Sequence, residues 1–403
     1  MTHILLINEF YHPDICASAV VATDHLEKLA ALRPDWRFTV LAGNRAWDDS
    51  NRVYPNEETI SGVCVIRVDR PAVRRDSLIS RGLGFAAFQR NVLRAAKKLD
   101  HVDLVIGTTA PPQGGMIAAK ISRMHGCPFI YKVLDLYPDL VATLGRVKAD
   151  SFVYRQWLRL DTNAMREAAA VVTISTPITQ RIARTRGIDP AKLHTIHDGY
   201  DASRLAFTGA NTFATETNPE KKLVVQYAGN MGLSHPMETI VAAARQMERD
   251  PGILFQFIGD GPQRESLKKG LPSNARLIDY QPADRLGQVL ATADVCLISQ
   301  HDAMFDQAMP YKFYASFAAG KPVIFLGNNG SEIAQWVNTH GAGLAIRQGD
   351  TTGLIGAIRS CTGEAVCAMG VATQVLFNQS LQSMFSARSW LALLEAAVRP
   401  HKD

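Results

Sequence analysis

Three short segments in the second half of the chain carry residues suited to holding a diphosphate. Tyr227-Ala228-Gly229-Asn230-Met231-Gly232 follows an apolar run and precedes a stretch of helical periodicity, Met237-Met247. Glycines at 229 and 232 would let the backbone approach an anion closely, and free N–H groups at the positive end of the next helix would favour its charge. Ile258-Gly259-Asp260-Gly261-Pro262 repeats the arrangement after the next apolar run, with Arg264 placed to reach a phosphate. Met309-Pro310-Tyr311-Lys312-Phe313 leads into the small-residue helix Ala315-Ala319, and Lys312 is the best candidate for a cation facing a leaving diphosphate. Each segment alone also reads as a tight strand-to-helix turn or a solvated lysine.

The first half offers three loops of a different kind. Tyr11-His12-Pro13-Asp14, Thr108-Thr109-Ala110-Pro111-Pro112 and Asp135-Leu136-Tyr137-Pro138-Asp139 each follow an apolar run. Asp135 could act on an acceptor hydroxyl, whereas Asp139 is expected as a helix or turn cap. Ile196-His197-Asp198-Gly199-Tyr200-Asp201 closes this half, with a glycine turn toward a hinge and His197 in a structural role.

The elements that must position these loops are legible as alternation. Apolar, β-rich runs at His3-Ile7, Arg37-Leu41, Val63-Val68, Asp103-Ile106, Phe129-Val133 and Ala170-Ile174 are separated by helical stretches such as Ala19-Leu32 and Gly115-His125. That pattern implies a parallel α/β sheet. It breaks after Ser203 and restarts at Leu223-Tyr227, Leu254-Ile258, Ala275-Ile278, Val295-Ile298, Val323-Leu326 and Leu344-Ile346. The expectation is a first Rossmann-like domain over 1–203, a linker over 204–220 and a second Rossmann-like domain over 221–375. A last helical stretch, Leu376-Leu394 and onward to 403, would pack back on the first domain. Two doubly wound domains would face a crevice at the carboxyl ends of both sheets.

Composition bounds the rest. A chain of 403 residues, 47% hydrophobic and 20% charged, suits two ordinary globular domains rather than disorder. Six scattered cysteines lack metal-site spacing and read as reduced, buried small hydrophobes. The N-terminus has no signal-peptide pattern and no apolar run reaches membrane-spanning length, so a cytoplasmic location is expected. The net charge of +5 is local: Arg67 to Lys98 carries +7 and the remainder −2.

Taken in order, the segments resemble the family-4 retaining glycosyltransferases of GT-B fold, and within them the subgroup that builds surface polysaccharides on lipid carriers. Asp135-Leu136-Tyr137-Pro138-Asp139 is similar to that subgroup's Asp-Leu-Trp-Pro-Glu, and His197-Asp198-Gly199-Tyr200-Asp201 to the family's Pro-Asn-Gly-Val-Asp. Pro310-Tyr311-Lys312 is similar to Pro-Ser-Lys, and the two glycine loops fall between. The resemblance implies metal-independent, cofactor-free transfer with retention from a nucleotide-sugar, taken as a UDP-sugar. The diphosphate would be held by Gly229, Asn230, Met231, Gly232, Gly259, Asp260, Gly261, Arg264 and Lys312, with Gln281 near the nucleobase. Asp135 and Lys312 would be catalytic, and His12, Asp14, Ser18, Thr108 and Thr109 would lie on the acceptor side. The family's paired glutamates fall on Gln307 and Ala315, and its basic pair falls near Asn230 and His235, so neither charge pattern is present.

The Arg67–Lys98 segment mixes arginines with Leu, Ile and Phe. It suits an anionic membrane surface, which would place the protein peripherally on the inner face of the cell membrane beside a lipid-linked acceptor. A solvated amphipathic helix is the plain alternative. Nothing points to nucleic acid or to a partner protein. Two other functions fit the same lobes: a nucleotide-sugar 2-epimerase, and a subunit that binds the donor without turnover.

Overall fold

The computed structural model describes residues 1–71 and 78–398, the side chains of 78–81 excepted. It divides the chain into two compact units, one of Met1–Asp198 with the segment from Ser383 onward, the other of Gly199–Gln382.

The first unit contains β1 (His3–Ile7), β2 (Arg37–Gly43), β3 (Glu57–Ile60), β4 (Val63–Val68), β5 (Leu104–Thr108), β6 (Phe129–Val133), β7 (Ala170–Thr173) and β8 (Leu193–Thr195). They form one sheet in the order β3-β4-β2-β1-β5-β6-β7-β8. Between them run α1 (Ala17–Leu32), α2 (Leu78–Ala96), α3 (Gly114–His125), α4 (Asp139–Thr143), α5 (Phe152–Glu167) and α6 (Thr176–Arg186). The central strands are continuous apolar runs because helices cover both faces of a parallel sheet: every residue of β1, β5 and β6 is buried. The edge strand β3 departs from the parallel expectation. It pairs antiparallel with β4 through a hairpin turn at Ser61 and Gly62, whose φ angles are 47° and 83°. Its half-exposed Glu-Glu-Thr-Ile and the three residues of β8 carry too little apolar pattern to stand out in the sequence.

The second unit has α7 (Thr212–Thr217), β9 (Leu223–Ala228), α8 (Glu238–Gln246), β10 (Ile253–Ile258), α9 (Arg264–Lys269), β11 (Ala275–Ile278) and α10 (Leu286–Thr292). There follow β12 (Val295–Ser299), α11 (Lys312–Ala318), β13 (Val323–Leu326), α12 (Glu332–His340), β14 (Gly343–Ile346), α13 (Thr351–Ser360) and α14 (Gly363–Leu376). Its six strands are all parallel, in the order β11-β10-β9-β12-β13-β14. Every strand therefore ends on the same edge, and the loops that follow the strands gather there.

Two boundaries differ from the sequence expectation. The polar segment 204–220 is part of the second unit: α7 buries Phe213 against Ile258 and Val289, and Asn211 donates from its amide to the Gln288 carbonyl at 3.0 Å. The final helical stretch is not continuous. A wide turn over Phe377–Leu381 and extended Gln382 separate α14 from α15 (Ser383–Val398). Helix α15 lays Trp390 and Leu394 into the core formed by Ile4, Leu26 and Leu29, a burial that contributes roughly 1.5–3 kcal/mol per large side chain. The cysteines also divide: Cys296 and Cys361 are buried, Cys16, Cys64 and Cys127 half-buried, and Cys367 exposed.

Candidate active site

In the second unit the two glycine loops interlock. Gly229, at φ 127°, and Gly259, at φ 130°, adopt backbone that side chains disfavour, and a Cβ on Gly259 would stand 2.2 Å from the Gly229 carbonyl oxygen. A Cβ on Gly261 would meet Asn230 Oδ1 at 2.6 Å. The glycines of the second loop are thus required to seat it on the first, apart from any ligand.

This packing corrects the expectation of free amides along Gly229–Gly232. The Gly229 N–H donates to the Ile258 carbonyl at 2.9 Å and the Met231 N–H to that of Asp260 at 2.8 Å. The Met231 side chain is buried in the core, so it is a structural anchor and not a donor contact. Helix α8 begins only at Glu238, with that acidic residue in its first turn. Asn230 and Gly232 keep N–H groups with no acceptor among the described residues.

Lys312 reaches this loop from the other side. It is the first residue of α11, whose Phe313, Tyr314, Ala315, Ser316 and Phe317 are all buried and fix the helix in the core. The Lys312 ammonium donates to the Tyr227 hydroxyl at 2.5 Å and lies 3.9 Å from the centre of the Tyr227 ring. The same hydroxyl donates to the Asn230 carbonyl at 2.8 Å, tying the lysine to the glycine loop. No carboxylate pairs with Lys312 among the described residues, and burial pulls its pKa down to about 7. His235 supplies no second cation: burial, then the charge of Lys312, lower its pKa to about 3, and its Nδ1 contacts the Ser299 carbonyl at 2.6 Å.

Arg264 is not a free phosphate ligand. Its guanidinium is held by Asp279 and lies 3.9 Å from Asp260, which is exposed at the turn. Gln281 follows the edge strand β11, donating to the Asp279 carbonyl at 3.0 Å and accepting from Arg285 at 3.4 Å. Gln307 is buried and donates to the Ala303 carbonyl at 2.7 Å, and Ala315 is buried on α11, so both positions read as packing.

In the first unit most of the acceptor-side candidates serve the loops themselves. Asp14 is buried and accepts from the Trp47 N–H at 2.8 Å and the Tyr54 hydroxyl at 2.9 Å. Thr108 donates to Asn8 Oδ1 at 2.6 Å. Thr109 accepts from the N–H groups of Leu134 and Asp135 at 2.9 and 3.1 Å, so it shapes the Asp135 loop. His12 is exposed, and its carbonyl accepts from Arg67 at 2.6 Å. Ser18 is half-buried on α1, with its hydroxyl 3.6 Å from the Cys16 sulfur.

The two aspartates of the Asp135–Asp139 loop differ sharply. Asp139 is buried and ion-paired with Arg181 at 2.7 Å and with Arg186; it makes no capping bond, which corrects its expected role as a cap. Asp135 is half-buried, has no hydrogen bond or ion pair to its carboxylate among the described residues, and is pushed up to about 6 by desolvation. A reachable, uncommitted carboxyl group near neutrality can take or give a proton.

A cluster the sequence did not reveal lies under these loops. Lys132, buried on β6, donates to Asp198 Oδ1 at 2.7 Å, with His25 Nδ1 at 3.4 Å and the Trp390 ring 5.6 Å away. His25 also contacts the Asp198 carbonyl at 2.9 Å, so α1 and β6 both meet on the last residue before the second unit, and α15 covers Lys132 with the Trp390 ring. Lys132 sits inside an apolar strand run, and its partner is distant in sequence. A lysine in a buried run was the signal that a counter-charge must exist.

The basic segment is less uniform than its charge suggested. Arg67 is buried against Glu58, and Arg70 pairs with Glu9 at 3.0 Å. Arg74 and Arg75, like the Arg81 side chain, lie outside the described residues. Arg90, Arg94, Lys97 and Lys98 are exposed on or just after α2.

Known proteins match both halves of the chain. A glycosyl transferase 4-like domain matches residues 18–199, and a glycosyl transferases group 1 domain matches residues 222–363. The chain is a glycosyltransferase built of these two domains. A probable glycosyltransferase of Pseudomonas aeruginosa, WbjE, is 27% identical over 339 residues, covering 82% of this chain and 83% of that one. A putative colanic acid biosynthesis glycosyl transferase of Escherichia coli, WcaI, is 26% identical over 147 residues, 35% and 36% of the two chains. The structure of Anabaena HepE in complex with UDP covers 98% of this chain and 100% of its own, with 14% identity and a TM-score of 0.71, a likeness of fold. The fold is that of GT-B glycosyltransferases: two Rossmann-like units, each a sheet with helices.

Proposed function

We propose that this glycosyltransferase moves a sugar, with retention and without a metal ion, from a UDP-sugar to a membrane-associated, lipid-linked glycan in cell-surface polysaccharide biosynthesis. In this reading it works in the cytoplasm, peripherally on the inner face of the membrane. The observation that carries the donor assignment is Lys312, half-buried and with no carboxylate partner among the described residues, its ammonium fixed to the Gly229–Gly232 loop by Tyr227. Support for UDP and for polysaccharide synthesis comes from what the structural neighbour HepE binds and from the role named for WcaI.

On this reading the bond from the anomeric carbon to the diphosphate oxygen breaks while the acceptor oxygen bonds to the same face. The acceptor's proton leaves toward the departing phosphate oxygen, and Asp135 is the first unit's own candidate for a group that takes a proton from an acceptor hydroxyl. Charge grows on the diphosphate, and Lys312 with the N–H groups of Asn230 and Gly232 stabilises it where it forms.

The test is release of nucleoside diphosphate from UDP-, GDP- and dTDP-sugars by purified protein, with and without a membrane extract containing lipid-linked acceptors. Release from the UDP-sugar that depends on the extract supports the reading. Acceptor-independent change of the donor sugar would indicate an epimerase. Nucleotide binding with no turnover under any condition would favour a binding subunit, the reading that Gln307 and Ala315 leave open.

A further inference from the structure

Helix α5 carries a surface that the transfer reaction does not use. Phe152, Val153 and Leu160 are 70%, 61% and 53% exposed, the largest set of solvent-facing apolar side chains on one helix among the described residues. At 3.6 residues per turn they share one side of the exposed arc, and Arg155 and Arg159 take the other. Arg146 and Lys148, just before the helix, are exposed too, and none of these four cations has an ion pair among the described residues. Between residues 144 and 160 the sequence supplies a single acidic side chain, Asp150.

The helix is held firmly in this orientation. Ser151 caps it by accepting from the Tyr154 N–H at 3.2 Å, and Asp161, Ala164 and Met165 are buried beneath it. Trp157 stacks on Tyr137 at 5.7 Å with the planes 6° apart, joining α5 to the loop that carries Asp135. Single exposed apolar residues are ordinary, but three beside four uncompensated cations complement a surface that is apolar beneath and anionic above. Among its described side chains, helix α2 offers cations with one strongly exposed apolar residue, Leu83 at 68%.

We propose that this face of α5 docks the first unit on an anionic lipid bilayer, with Phe152, Val153 and Leu160 entering the headgroup boundary and Arg146, Lys148, Arg155 and Arg159 on lipid phosphates. The inference rests on the membrane-associated reading above and names its surface, yet vesicle binding needs no sugar transfer. The experiment is flotation of the purified full chain with phosphatidylcholine vesicles, with and without phosphatidylglycerol. The protein floats only with the anionic vesicles. Phe152→Ser/Leu160→Ser and Arg155→Gln/Arg159→Gln each weaken flotation on the order of tenfold or more, while Arg90→Gln/Arg94→Gln floats as wild type. No flotation, wild-type flotation by the α5 variants, or loss confined to the α2 variant overturns the proposal. So does a wild-type dimer that either α5 double variant turns into a monomer, since the face would then belong to a second copy. Unchanged circular dichroism and thermal unfolding of the variants show that they fold. Flotation without any transfer activity would fault the functional reading and leave this one standing.

Discussion

Two lysines in two units show how one residue type is put to opposite uses. Lys132 in the first unit is buried within hydrogen-bonding distance of Asp198 and His25, and its charge is compensated inside the protein. Lys312 in the second unit is also desolvated, but its partner is a tyrosine hydroxyl and, among the described residues, no carboxylate, and part of the residue's surface stays open. A paired buried cation holds a fold together. An unpaired one at a loop edge costs stability and gains a partner only when an anion arrives.

The largest effect that would sharpen this contrast is structural. Lys132→Ala strands the buried Asp198 carboxylate and should cost about 3–5 kcal/mol in denaturant unfolding, with UDP affinity retained by the folded fraction. If stability is unchanged, the pair is not a structural element. Lys312→Ala should do the reverse, lowering turnover about 10²–10³-fold while thermal unfolding stays put or moves upward. Turnover within a few-fold of wild type would remove Lys312 from the site.

The Asp135 and Asp139 pair repeats the contrast within one loop. Asp139→Ala leaves Arg186 buried without its carboxylate and should destabilise by about 3 kcal/mol or more. Asp135→Asn should lower turnover without loss of stability. The sign follows from its pKa: a carboxyl raised from 3.8 to about 6 binds more protons folded than unfolded, so its effect on stability grows unfavourable as pH rises through that window. At neutral pH the asparagine variant is expected to melt at the same temperature or higher, and a lower melting point would show that the carboxylate has a structural partner. The smallest effect is expected of Tyr227→Phe, which keeps the ring under Lys312 and removes the hydroxyl that links it to Asn230. Turnover should fall by roughly tenfold, about one hydrogen bond to a charged group, and no fall would mean that packing alone positions the lysine.

Much of this architecture was legible in the chain because parallel strands buried on both faces announce themselves as apolar runs. The runs at His3-Ile7 and Leu223-Tyr227 became β1 and β9 with little change at their ends. Elements with no such run were invisible: β3 is polar on an edge, and α7 sits in a stretch of Thr, Asn and Ala whose one large apolar residue, Phe213, is buried. Position within the site was legible, but commitment was not. Lys312 and Asp135 stood at strand ends in the sequence, as did Arg264 and Asp139. What separates them is a counter-charge folded in from elsewhere, Asp279 for Arg264 and Arg181 with Arg186 for Asp139. Local spacing does not report partners that tertiary structure brings in. The glycines illustrate the same limit: Gly259 and Gly261 looked like a phosphate cradle and prove to be required for loop-on-loop packing.

The most direct test of the central claim is calorimetric titration of UDP into the wild-type protein and Lys312→Ala across about pH 7 to 9. With a pKa near 7 in the free protein, Lys312 loses its proton in that window, and the diphosphate must restore it on binding. Wild-type affinity should therefore weaken with rising pH, by at most about tenfold per unit, with proton uptake that depends on buffer ionisation enthalpy. The alanine variant should bind weakly and without that slope. Equal affinity and equal pH dependence in the two proteins would contradict the assignment of Lys312 to the diphosphate.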